Sequence, residues 1–264
     1  MMNIIRADIY AILRGKAIYI TFAALILLHV LVIGTQGVGG INFVGIEGGD
    51  NFELPDVGFD GFRSAALLYT RTDNIIFFLL PLIILATAPI FTFGTVKNDI
   101  SWGVCRTKLY LSKLIVSLGL CTLLMLFYMG AGMLFATALN GFGGPVPDNY
   151  WLNLFQTVGS QLFMLFAATC FGVFLVFVTK KTSAATSLYI GIILVPSFIV
   201  MMLLEAGINA TWVLNFDLMM AINRLGFFSQ LETYAIIRTL LAGAAYILAT
   251  TIGGIFLFKR AEIK

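Results

Sequence analysis

The feature that most limits what this chain can become is a series of six long apolar stretches, residues 17–34, 74–95, 114–139, 154–178, 184–204 and 233–258. Arg238 is the one Lys, Arg, Asp or Glu within them. A helix rises about 1.5 Å per residue, so roughly 20 such residues cross a hydrocarbon core about 30 Å thick. Backbone in lipid must satisfy its hydrogen bonds internally, and a run this apolar meets that condition as a helix. Of 264 residues, 60% are hydrophobic and 11% charged, and the mean hydropathy is +0.99. No water-soluble domain carries that composition. The expected fold is an all-α integral membrane protein with six transmembrane helices in one domain, residues 1–264.

Charge placement gives these spans a direction. Arg6, Arg14, Lys16, Lys97, Arg106, Lys108, Lys113, Lys180, Lys181, Lys259, Arg260 and Lys264 fall on one side of the plan, 12 of the 16 basic residues. Arg63, Arg71, Arg224 and Arg238 fall on the other. The acidic residues divide the opposite way, with Asp8, Asp99 and Glu262 beside the basic set and the other 10 of 13 across from it. Short basic loops stay in the cytoplasm, so both termini are expected there. The formal net charge of +3 is thus accounted for by topology, and nucleic acid is not an expected partner.

Between the spans the sequence carries several local signals. In residues 3–16, Ile5, Ile9, Ile12 and Leu13 share a helical face away from Arg6, Arg14 and Lys16. This spacing predicts an amphipathic helix on the membrane surface, the alternative being an extension of the first span. His29, the single histidine, lies near the far end of that span. It is a candidate gate or cavity residue, although an imidazole there is more often hydrogen-bonded to a neighbouring helix or a headgroup. Pro81 and Pro89 in the second span and Pro196 in the fifth remove backbone donors and are candidate hinges. Residues 37–73 form a Gly-rich acidic loop without the ligand order of a calcium loop. Glu205 and Arg238, at the outer ends of spans five and six, can pair as a gate or can simply snorkel. Ala245, Ala249 and Gly253 recur every fourth residue, a spacing suited to close helix packing.

Catalytic patterns are missing from the sequence. It has no GxxxxGK[ST], HExxH or GxSxG and no paired-cysteine metal spacing. With one histidine, an intramembrane hydrolase lacks a base or a ligand set. Cys121 and Cys170 fall inside spans and Cys105 in a basic loop, which argues against a disulfide framework. The chain is therefore not expected to be an enzyme by itself or to hold a cofactor or metal.

The largest basic segment is the loop FGTVKNDISWGVCRTKLYLSK, Phe93 to Lys113, between the second and third spans. It carries Gly94, then Lys97-Asn98, Asp99, Gly103, Arg106, Lys108 and finally Ser112-Lys113. In order and spacing it resembles the corresponding loop of short permease subunits of ABC-type-2 transporters from Gram-positive bacteria. The basic amphipathic opening of the chain resembles that family too. The resemblance implies an ABC-type-2 exporter fold in a bacterial plasma membrane. It further implies an N-terminal interfacial helix and short outer re-entrant helices after the fifth span.

It also implies partners: a separate ABC ATPase subunit that carries the ATP and magnesium, a second permease copy or a related permease, and membrane lipid. Residues 96–110 would be the coupling region, with Lys97, Asn98, Asp99, Gly103, Arg106 and Lys108 in it. The implied cargo is an amphipathic or antimicrobial peptide, or a hydrophobic compound. A stand-alone secondary carrier and a non-transporting scaffold or sensor remain the alternative readings; a carrier would need intramembrane carboxylates or repeated broken helices.

Overall fold

A computed structural model of the chain describes residues 2–34, 59–146, 148–206 and 217–260, without the side chains of residues 32, 34, 200, 201, 204 and 205. The structure is 86% helical with no strand among the described residues, as an all-α membrane protein requires. Helix α1, Met2–Arg14, meets α2, Lys16–Gly34, at Gly15. The two are bent by 60°. The amphipathic opening and the first span are therefore separate helices. The short α3, Ser64–Tyr69, and a 3-10 turn at Thr72–Asn74 lead into α4, Ile75–Thr87, and α5, Pro89–Thr92. Then come α6, Thr95–Ser101, α7, Arg106–Asn140, α8, Tyr150–Thr179, and α9, Thr182–Glu205. After residues 207–216 follow α10, Leu218–Leu225, a 3-10 turn at Phe228–Gln230, and α11, Thr233–Arg260.

Four of these helices, α7, α8, α9 and α11, are each long and apolar enough to cross a membrane, and α1 with α2 passes the same test as a bent pair. The second predicted span, 74–95, is divided. Pro89 has no N–H for the carbonyl of Leu85, so the ladder is interrupted and α4 and α5 join through Ala88, itself in the right-handed helical region. The other proline behaves differently: α4 runs unbroken through Pro81, whose side chain is exposed. Pro196 lies half-buried inside an unbroken α9.

Helix α8 is the centre of the packing. Helix α11 lies most extensively along it, and α7, α4, α9 and α10 also contact it. Where helices meet in an apolar solvent, small residues let backbones approach. On α11 the packed positions are Thr239, Gly243, Thr250, Gly254 and Phe258, with Gly243 against Met164 and Gly254 against Tyr110. The predicted stripe is thus displaced: Ala245 and Ala249 are exposed and Gly253 half-buried. Many apolar side chains on α9 and α11 face outward, among them Ile199, Met202, Leu241, Leu248 and Ile252. That surface suits lipid or another apolar chain.

Candidate partner-docking loop

The loop from Phe93 to Cys105 is built by two turns that only glycine takes easily. Gly94 has φ +64° and Gly103 φ +82°, the left-handed region in which a Cβ is strained. Between them lies the two-turn helix α6. Its Val96 is 4% exposed, and Ile100 and Val104 pack on the core. The opposite face carries Lys97, Asn98 and Ser101, and Phe93 and Trp102 at the two ends are 77% and 87% exposed. A helix this short does not hold its shape in water unaided; its buried face fixes it on the bundle.

Beneath it is an aromatic floor from four helices. Phe177 of α8 packs against Phe91 of α5, Tyr110 of α7 and Phe258 of α11, with ring centroids 5.2, 4.7 and 4.9 Å away. The Tyr110 hydroxyl donates to the carbonyl of Thr250 at 3.4 Å. The loop thus rests where four helices meet.

Two basic residues of the loop are engaged within the chain. One guanidinium nitrogen of Arg106 donates to the carbonyls of Phe258 and Lys259 at 3.3 and 2.8 Å. These are carbonyls in the last turn of α11, where a cation also meets the negative end of the helix dipole. Lys113 is 4% exposed and donates to Asp8 Oδ1 at 2.7 Å, fastening α1 to α7. Lys97, Asn98, Gly103 and Lys108 are exposed and Asp99 is half-buried. Of the predicted coupling residues, Lys97, Asn98, Gly103 and Lys108 therefore present themselves outward, while Arg106 ties the loop to α11.

The predicted gate residues lie on α2, α4, α5, α9 and α11. His29 is 1% exposed; its Nδ1 pairs with the carbonyl of Leu25 on its own helix at 2.7 Å, and its ring lies 4.9 Å from that of Tyr128. Among the described residues its Nε2 has no hydrogen-bond partner. One hydrogen bond is thus made within α2, while on the neighbouring helix α7 the imidazole meets Tyr128. Arg238 is exposed, and the Glu205 side chain lies outside the described residues, as do most of the acidic loop and residues 207–216. All three cysteines are free, Cys121 and Cys170 buried and Cys105 exposed. Among the described residues no three His, Cys, Asp or Glu side chains gather as metal ligands would.

Several polar anchors were not singled out in the sequence. Gln161 of α8 donates to the carbonyls of Tyr69 and Ile222 at 2.6 and 3.2 Å, and Asn223 donates to that of Thr70 at 3.2 Å. Asp217 caps α10 by accepting from Met219 N at 2.9 Å, and it also accepts a hydrogen bond from the Ser197 hydroxyl of α9. Burial raises the Asp217 carboxyl above its usual range. Asp73, in the turn ahead of α4 and 5% exposed, is pushed up to about 6 for the same reason, against the opposing pull of backbone amides and Arg71. An Asp just before an apolar run closed by Gly226 is a cap signal that was open to view at Asp217. Trp102 stood in the loop sequence as an aromatic among charges. The chain matches no protein-family model, and it matches none of the curated proteins with which it was compared.

Proposed function

We propose that this chain is the membrane-spanning permease subunit of an ATP-driven ABC exporter. Its cargo is an amphipathic or antimicrobial peptide or a hydrophobic compound, and it is driven by a separate ATPase through the 93–113 loop on the cytoplasmic side. A chain without a nucleotide-binding motif takes ATP energy from another protein, and it needs a rigid surface on which to receive it. The observation that carries this reading is the outward face of α6: Lys97, Asn98 and Ser101 between Phe93 and Trp102, held on a floor shared by four helices. Exposed aromatics beside cations are the residue types that anchor protein interfaces. Motion of a docked motor would pass from α6 to α4 and α5 on one side, and through Arg106 to α11 on the other. A second permease copy would cover part of the outward apolar surface of α9 and α11.

The test is copurification from native membranes. The wild-type chain is expected to bring an ATPase subunit with it. Trp102→Ala with Lys97→Glu is expected to weaken that association by about 2 kcal/mol or more, roughly thirtyfold, without changing membrane insertion. Unchanged association in the double variant would remove the assignment of the docking surface.

One observation favours a proton-coupled carrier working alone: Asp73 and Asp217 are 5% and 6% exposed near the ends of spans. Transport by the purified chain in ATP-free vesicles under a pH gradient, abolished by Asp73→Asn, would establish that reading in place of the first.

A further inference from the structure

A cavity of about 410 Å³ lies among α2, α3, α4 and Tyr128 of α7, on the side of the bundle opposite the 93–113 loop. That volume is within the usual range of small-molecule sites. Its wall is mostly apolar, including Ala24, Leu28, Ile33, Leu67 and Phe78; His29, Asn74 and Tyr128 also line it, and Arg71 is its one cation. Two further wall residues, Leu27 and Leu31, are 63% and 52% exposed. The cavity therefore opens sideways along the flank of α2.

Its length has a counterpart in the membrane. Ala24 and Ile33 are nine residues apart on one helix, about 14 Å at 1.5 Å per residue. Half of a hydrocarbon core roughly 30 Å thick is about 15 Å. The slot is about as long as one leaflet's hydrocarbon is deep.

At its polar end Arg71 is half-buried and joins no ion pair among the described residues. Asp73, two residues along, is engaged chiefly by backbone amides, with Arg71 and Asn223 adding to them. A guanidinium matches a phosphate oxygen pair in geometry, so Arg71 offers a contact for an anion at the slot's polar end. We infer that this slot holds an acyl chain of an anionic phospholipid of the leaflet opposite the basic loop, with the lipid's phosphate against Arg71. The site does not depend on the transport reading.

The test is native mass spectrometry of the full-length protein after reconstitution with equal phosphatidylglycerol and phosphatidylcholine. The wild type is expected to retain one phospholipid and to favour phosphatidylglycerol by about tenfold, the worth of one charge-assisted contact. Arg71→Gln is expected to bring that preference near unity while a lipid is still retained. Ala24→Phe, filling the slot, is expected to lower retention of both lipids at an unchanged melting temperature. A phosphatidylglycerol with a photoreactive acyl chain provides a readout on the wild type itself, with label expected on residues 24–33 and 74–78. Wild-type preference in Arg71→Gln, or label confined to α9 and α11, overturns the inference. So does a slot that takes up a photoreactive apolar peptide and excludes the lipid.

Discussion

Removing Asp8 should cost this protein more than its position in a terminal surface helix suggests. Lys113 donates to Asp8 Oδ1 at 2.7 Å, and the two side chains are 5% and 17% exposed. The pair offsets the expense of holding an ammonium group among apolar helices. Asp8→Asn leaves Lys113 charged and uncompensated, and losing one partner of a buried pair costs about 3–5 kcal/mol. The lower figure applies, since Asp8 still touches water. About 3 kcal/mol is roughly two decades in the folding equilibrium. Lys113→Met should cost less, because it strands the more exposed partner, whose Oδ2 has no hydrogen bond among the described residues. Asp8→Asn with Lys113→Met leaves no charge behind and is expected to cost much less than the two single changes together. Thermal unfolding of the four proteins in one detergent gives the double-mutant cycle. Strictly additive losses, or an Asp8→Asn cost below about 0.5 kcal/mol, would refute the view that this ion pair fastens α1 to α7.

Three further outcomes follow from single contacts. Gly132→Ala places a Cβ 2.5 Å from Leu68 Cδ1 and 2.8 Å from His29 Cδ2; overpacking of this kind costs about 1–3 kcal/mol and is expected as a lowered melting temperature. Asp73 binds its proton more readily folded than unfolded, so its contribution to stability falls as pH rises between about 4 and 6. The loss is on the order of 3 kcal/mol, and Asp73→Asn is expected to flatten that part of the melting profile and to be the more stable protein at pH 7.5. Arg106→Ala removes donors from two carbonyls of the last turn of α11; hydrogen exchange there is expected to rise about tenfold or more, with Arg106→Lys in between.

Much of the fold is legible in the sequence because lipid leaves a chain few choices. The runs at 114–139, 154–178, 184–204 and 233–258 lie within α7, α8, α9 and α11, since an apolar stretch of that length with at most one charge has no cheaper conformation. Proline is harder to interpret. Pro81 and Pro89 carry the same defect, yet only Pro89 interrupts the ladder, at Ala88; the Thr87 hydroxyl also binds the Ile83 carbonyl there, at 2.6 Å. The periodicity of α11 points to Ala245, Ala249 and Gly253, whereas the packed face is Gly243, Thr250 and Gly254. Small residues on both flanks make the two faces equivalent until the neighbours Met164 and Tyr110 are placed. The 93–113 loop is legible as a basic segment, but the division of its cations is not. That Lys97 faces outward while Arg106 binds the end of α11, more than 150 residues away in sequence, is decided by tertiary packing alone.

The central claim is that a separate motor sits on α6. A photocrosslinking amino acid placed at Trp102 in native membranes tests it most directly, with the same group placed at Leu241, on the exposed flank of α11, as the control. The account expects an ATPase subunit crosslinked from position 102 and not from 241. A loop that crosslinks no ATPase while export continues, or that reacts with a membrane-impermeant reagent added outside intact cells, would contradict it.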